Sequence, residues 1–248
     1  MRNIIKAALL SIAVLSVYAC KSEYLVQKEN YDFPKDFMWG TSTAAYQIEG
    51  NIVNDWSTNG LDAGRAANSL KLYKQDISRM KYLNNNSYRF SIEWARIEPE
   101  KGNFDLSAID YYRDLLKELR KNNIKPMVTL HHFTNPVWIA KEGGWENPQA
   151  IEHYLEFVKF TVNELKEYAD IWITINEPNV YAFKAYDSGE FPPYKKDREA
   201  AIKVMGNLLK AHGEAYQLIH KIDKGAKVGF AHHIALLQPN FILNPVDN

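Results

Sequence analysis

The strongest constraint on the fold is an alternation along the chain. Five short apolar runs (Phe37–Thr43, Ser87–Glu93, Lys125–Leu130, Asp170–Ile175 and Lys227–Ala231) are separated by four segments with helical periodicity. Runs that are apolar at successive positions bury both of their faces, as strands of a parallel sheet do. The helical segments lie at about 68–84, at Ser107–Asn122, after Asn147-Pro148, and at about 198–222. In the second, Ile109, Tyr112, Leu115, Leu116 and Leu119 share one face; in the third, Ile151, Tyr154, Leu155, Val158, Val162 and Leu165 do. Ser107 with Asp110 predicts an N-terminal cap, and Pro148 suits a first helical position, where its missing N–H is not needed.

Strands joined by crossover helices leave two architectures, an open doubly wound sheet and a (β/α)8 barrel. No Gly-x-Gly-x-x-Gly follows the first run, so dinucleotide binding has no support. Polar residues instead stand near several strand C-termini: Gln47, Glu93, His132 and Asn176-Glu177. Convergence of strand-end residues is the pattern of a barrel. The expected fold is therefore α/β, a partial (β/α)8 TIM barrel of about the first five βα units, spanning residues 31–248.

The tripeptide Asn176-Glu177-Pro178 sharpens this reading. A carboxylate at the mouth of a buried strand is costly unless it has a partner or a task. Pro178 has no N–H to donate, so it ends the strand just beyond that carboxylate.

Lys+Arg and Asp+Glu are equal at 30 each, and a net charge of zero argues against a nucleic-acid partner. His131 and His132 are adjacent, so on a strand they face opposite sides and do not share one metal. No spacing in the chain resembles a zinc site, and no cofactor is expected. The single cysteine, Cys20, excludes a disulfide within the chain.

The N-terminus has the form of a targeting segment. Arg2 and Lys6 precede an apolar run from Ala7 to Val17, too short for a membrane span of roughly 20 residues. Residues 1–20 are expected to be a signal peptide. Ala19 directly before Cys20 resembles a bacterial lipoprotein signal, with Cys20 lipidated. The alternative is a plain secretory signal with an incidental cysteine. The chain is thus expected to be exported, as a cell-envelope lipoprotein touching the membrane only through Cys20, or otherwise periplasmic or secreted. Residues 21–30 read as a polar tether.

Four segments carry a family likeness. The stretch 33–50, FPKDFMWGTSTAAYQIEG, resembles the opening of glycoside hydrolase family 1, the β-glucosidase and β-galactosidase family. Residues 88–97, YRFSIEWARI, look like its second strand. Residues 129–136, TLHHFTNP, look like its third, and 174–179, TINEPN, its fourth. All four occur in family order, across roughly Tyr31 to His233.

The resemblance implies a retaining β-glycosidase acting on a β-linked glycoside or oligosaccharide. It makes Glu177 the general acid/base and Asn176 the contact to the sugar 2-hydroxyl. Gln47 and His132 become sugar hydroxyl ligands, and Arg89 a residue beside the nucleophile. The residue types suit the chemistry. Acetal cleavage needs a proton on the leaving oxygen and an anion or covalent bond at the anomeric carbon. Amide and imidazole groups donate and accept, as hydroxyl recognition requires. Each has a structural alternative: an arginine-paired carboxylate for Glu177, a strand-end cap for Asn176, a backbone-bonded turn residue for Gln47, a buried ion-pair residue for Arg89. Glu49 reads as structural, His131 as packing, and His232-His233 as incidental.

The chain also departs from the family. His131-His132-Phe133 stands where Tyr-His-Trp is usual, which removes an indole donor. The nucleophile's Thr-Glu-Asn-Gly motif, which follows the seventh strand in the family, does not occur in these 248 residues. The expectation is the N-terminal portion of a family 1 β-glycosidase, inactive as an isolated chain. A non-catalytic sugar-binding remnant and an unstable truncated product are the alternatives.

Overall fold

The computed structural model describes residues 32–235. The signal peptide expected at 1–20, lipidation at Cys20 and the tether at 21–30 lie outside them. The chain divides into two compact units at Phe37. In the first, described from Asp32, a turn is closed by the Phe37 N–H on the Pro34 carbonyl at 2.9 Å, with the Phe33 and Phe37 rings edge to face.

The second unit, from Met38, is a five-stranded sheet in sequential order. Its strands are β1 (Gly40–Ser42), β2 (Ser87–Ser91), β3 (Lys125–His131), β4 (Ile171–Asn176) and β5 (Lys227–Ala231). Each neighbouring pair is parallel, with Gly40 opposite Ser87, Ser87 opposite Lys125, Met127 opposite Ile171 and Ile171 opposite Lys227. The long crossover helices are α1 (Ser69–Tyr82), α2 (Leu106–Lys121), α3 (Gln149–Leu165) and α4 (Arg198–Ile222). This is the strand–helix succession of the first five units of a (β/α)8 barrel.

The helices bury the stripes that their sequences set out. Ile109, Tyr112, Leu115, Leu116 and Leu119 of α2 and Tyr154, Val158, Val162 and Leu165 of α3 are buried in one core, where Trp94, Trp145 and Trp172 are fully enclosed. Each such side chain contributes roughly 1.5–3 kcal/mol by leaving water.

Two expectations are corrected. The cap of α2 is Asp105, whose Oδ1 accepts from the N–H groups of Ser107 and Ala108 at 2.8 and 3.2 Å, while Ser107 donates its own hydroxyl to Asp105. An aspartate two residues earlier, in extended backbone, meets the orphan N–H groups better than the serine inside the first turn. The first strand is also shorter than its apolar run. Only Gly40–Ser42 pair, all three exposed, because among the described residues β1 pairs with β2 alone.

Gly40 is what lets β1 approach at all. A Cβ there would stand 2.4 Å from the Ser87 carbonyl oxygen and 2.3 Å from its Oγ. Gly40→Ala should therefore separate β1 from β2 and cost about 2–3 kcal/mol. A thermal melt within 1 °C of the parent would contradict this close approach.

Candidate active site

The middle of β2 and the C-terminal ends of β3 and β4 bring four of the five expected binding and catalytic residues together. Arg89 on β2 is half-buried; its Nε donates to Thr129 Oγ1 at 3.0 Å, and its guanidinium also donates to Asn176 Oδ1. Burial pulls its pKa down and the Glu177 charge pushes it back up. Arg89 thus orients the Asn176 amide and faces Glu177 electrostatically.

Glu177 follows β4 directly and precedes the short helix Pro178–Ala182. Its backbone is in the left-handed region, φ +45°, which a non-glycine residue occupies only when its surroundings impose it. Its N–H is held by the Ala231 carbonyl of β5 at 2.7 Å, and its carbonyl accepts from Tyr181 N–H at 3.0 Å. The β4–β5 register is irregular between Ile173 and Asn176, where the strand delivers the carboxylate. The side chain is one-third exposed, and His233 Nδ1 stands 3.9 Å from Oε1.

His132 is the residue after β3. Burial, reinforced by the positive charge of Arg89, pushes its imidazole down to about 3, so the ring is neutral at any physiological pH. Its buried Nδ1 has no hydrogen-bond partner among the described residues. A buried polar atom left unpaired is unusual in a folded protein. Asn179 Oδ1 is unpaired in the same way, while its amide donates to the His233 carbonyl at 3.0 Å.

Gln47 is the exception. It is exposed, its Oε1 accepts from the Ala44 N–H at 3.3 Å, and no hydrogen bond among the described residues joins it to the other four. Its backbone-bonded alternative is the arrangement seen. His131 is fully buried against Trp145, Tyr154 and Tyr181, on the opposite side of the strand from His132. Glu49 is buried as well, bonded to Arg96 at 2.9 Å and to the Tyr112 hydroxyl at 2.7 Å.

Beneath this cluster lies a buried polar layer that the strand-end residues alone did not disclose. Glu93 accepts from Asn54 Nδ2 at 3.2 Å and from the Thr134 hydroxyl on both oxygens, and burial pushes its carboxyl up to about 8. Asp55 is bonded to Asn135, and burial pushes it up to about 7. The partners are 39 to 80 residues apart in sequence, so no local pattern pairs them. Thr129 has no sequence signal of its own, and the parallel register alone brings it to Arg89; His233, read from the sequence as incidental, stands 3.9 Å from Glu177 because the chain continues past the end of β5. Among the described residues no group of His, Cys, Asp and Glu could hold a metal ion.

A parallel sheet in sequential order with a carboxylate, a guanidinium, an imidazole and an amide gathered on and just beyond its strands has the pattern of the (β/α)8 barrel class. The family follows from similarity. Residues 29–245 match glycosyl hydrolase family 1, and the chain belongs to that family. Beta-glucosidase A of Acetivibrio thermocellus is 34% identical over 223 residues, which cover 84% of this chain and 50% of that protein. Among solved structures, the beta-glycosidase from Pyrococcus horikoshii is 38% identical with a TM-score of 0.79, over 85% of this chain and 51% of the other. The beta-glucosidase from Thermotoga maritima in complex with castanospermine is 29% identical with a TM-score of 0.80, over 85% and 52%. The chain thus spans about half the length of these relatives.

Proposed function

We propose that this chain supplies the acid/base half of a retaining β-glycosidase site. Glu177 protonates the leaving oxygen and then activates water, Asn176 and His132 hold sugar hydroxyls, and Arg89 fixes the Asn176 amide. The observation that carries this reading is the Arg89–Asn176–Glu177 arrangement between the middle of β2 and the end of β4, next to a neutral His132 whose Nδ1 is unpaired. A neutral imidazole can donate and accept at once, which matches a hydroxyl. Family membership and the β-glucosidase relatives support the substrate class.

Retention needs a second carboxylate about 5 Å from the first, to attack the anomeric carbon. Within this cluster Glu177 is the one carboxylate. The buried acids among the described residues are committed elsewhere: Glu93 to Asn54 and Thr134, Asp55 to Asn135, Glu49 to Arg96, and Glu98 to Trp94 and the Gly102 N–H. The purified 248-residue chain is therefore expected to leave 4-nitrophenyl β-D-glucoside unhydrolysed. Removing a catalytic residue commonly costs several orders of magnitude in rate. Turnover that Glu177→Gln abolishes would show that the chain holds a complete site and would overturn this half-site reading.

We also propose export with a lipid anchor at Cys20, supported by the short apolar run that ends in Ala19-Cys20. Expressed in a bacterium, the chain should label with radioactive palmitate and Cys20→Ser should abolish the label. Equal labelling of the two would remove the anchor from the account.

A further inference from the structure

The turn that carries His132 is held by a buried device outside the sugar cluster. On one side the turn is fixed by β3, where His131 lies opposite Ile175. Beyond His132 the chain reverses through Phe133, whose φ of +72° lies in the left-handed region. A phenylalanine gains nothing from that conformation by itself and keeps it only where its surroundings impose it.

The surroundings centre on Asn135 and Asp55, both nearly fully buried. Three hydrogen bonds join them. Asn135 N–H donates to Asp55 Oδ1 at 2.8 Å, Asn135 Nδ2 donates to Oδ2 at 2.8 Å, and Asp55 N–H donates to the Asn135 carbonyl at 3.0 Å. The same Asn135 amide donates to the Phe133 carbonyl at 3.2 Å and to the Tyr181 hydroxyl at 3.1 Å. Its Oδ1 accepts from Trp145 Nε1 at 2.8 Å and faces His131 Nε2 at 3.0 Å. Within the turn, Thr134 N–H closes onto the His132 carbonyl at 2.9 Å. The Phe133 ring lies parallel to Trp56 on one side and to Tyr181 on another, with centroids 6.3 and 6.4 Å away.

We infer that Asp55 and Asn135 are positioning residues: their clasp holds the Phe133 turn in its left-handed form and thereby fixes the direction of the His132 ring. Without it, Phe133 relaxes to negative φ and the peptide after His132 rotates. Neither residue touches the sugar in this account. The inference rests on His132 being a sugar ligand, as proposed above.

Two single substitutions test it in the 248-residue chain. Asp55→Asn keeps the shape of the side chain but sets two amide donors against each other, and Asn135→Asp sets two carboxylates against each other and removes the donor to the Phe133 carbonyl. The first readout is the His132 ring resonance in NMR without ligand, beside that of His212, which is bonded to Thr174 away from the clasp; the second is the dissociation constant for castanospermine. Each variant should shift or broaden the His132 signal, leave the His212 signal in place, and weaken castanospermine at least tenfold. A variant that does not fold in buffer is measured in trimethylamine N-oxide, which favours the folded state. Folded variants that leave the His132 signal and the affinity within experimental scatter, or that move His212 as much as His132, would overturn the clasp. Failure of the parent chain to bind castanospermine would count against the glycoside reading instead, and the ligand-free His132 spectrum would still decide the clasp.

Discussion

Arg96→Ala should lower the free energy of unfolding by about 3–5 kcal/mol, the range for removing one partner of a buried ion pair. Arg96 is the cation bonded to Glu49: its Nε donates to Glu49 Oε2 at 2.9 Å and its NH2 donates to the Gly50 carbonyl at 3.0 Å. Glu49 is almost wholly buried, and burial already raises its pKa against the pull of Arg96 and Tyr112. Without the guanidinium the carboxylate keeps only the Tyr112 hydroxyl, so Glu49 takes up a proton or water enters the core. The Gly50 carbonyl loses its donor as well. A pair of apolar substitutions of similar volume, Glu49→Leu with Arg96→Met, should recover much of the loss, because the desolvation of both charges disappears with them. Urea unfolding of the three variants measures this. A loss below 1 kcal/mol for Arg96→Ala would mean that Glu49 does not need its cation.

The second large effect is on the pH dependence of stability. Glu93 and Asp55 have folded pKa values raised to about 8 and about 7, from ordinary values of 4.5 and 3.8. The folded chain therefore holds protons that the unfolded chain has released, and stability falls as pH rises through 7 and 8. His132 and His131, lowered to about 3 and about 4 by burial, act in the opposite sense. The unfolded chain binds protons there that the folded chain does not, so stability rises with pH up to about 6.5. Between pH 4.5 and 6.5 the two pairs largely offset each other. Above pH 6.5 the carboxyls act alone, and Glu93 should cost about 2 kcal/mol between pH 6.5 and 8. Stability should thus be nearly flat from about pH 4.5 to 6 and fall above that. Glu93→Gln keeps an acceptor for Asn54 and Thr134 and carries no titrating proton, so its alkaline arm should be flatter. Chemical denaturation at half-unit pH intervals resolves the two curves. An unchanged alkaline slope in Glu93→Gln would assign the dependence to other groups.

Much of the fold could be read from the chain because its period-2 and period-3.6 patterns are long and clean. The runs of β2 to β4 and the stripes of α2 and α3 are buried where the apolar residues stand. The first strand was overextended because Met38 and Trp39 are apolar yet about half exposed, so hydrophobicity there does not report pairing. The cap of α2 was misplaced because Ser107 and Asp105 are both good cap residues, and only backbone conformation chooses between them. Arg89, His132, Asn176 and Glu177 could be proposed together from the sequence because each stands on or just after a strand in a distinctive motif, and the structure places them near one another. Asn54, Asp55, Thr134 and Asn135 were invisible for a physical reason. Their chemistry is mutual, between loops that only the parallel register brings together, and each alone reads as a turn residue. Gln47, from the same kind of motif, accepts the Ala44 N–H three residues earlier.

The proposal at the centre of this account is that Arg89, His132, Asn176 and Glu177 form a sugar-binding cluster with Glu177 as its acid/base. Calorimetric titration of the purified 248-residue chain with castanospermine tests it most directly, beside His132→Ala, Asn176→Ala and the surface control Lys210→Ala. The account predicts saturable one-to-one binding by the parent and the control, weakened at least tenfold by each site variant. Binding that survives both site substitutions unchanged, or no binding by the folded parent chain, would contradict it.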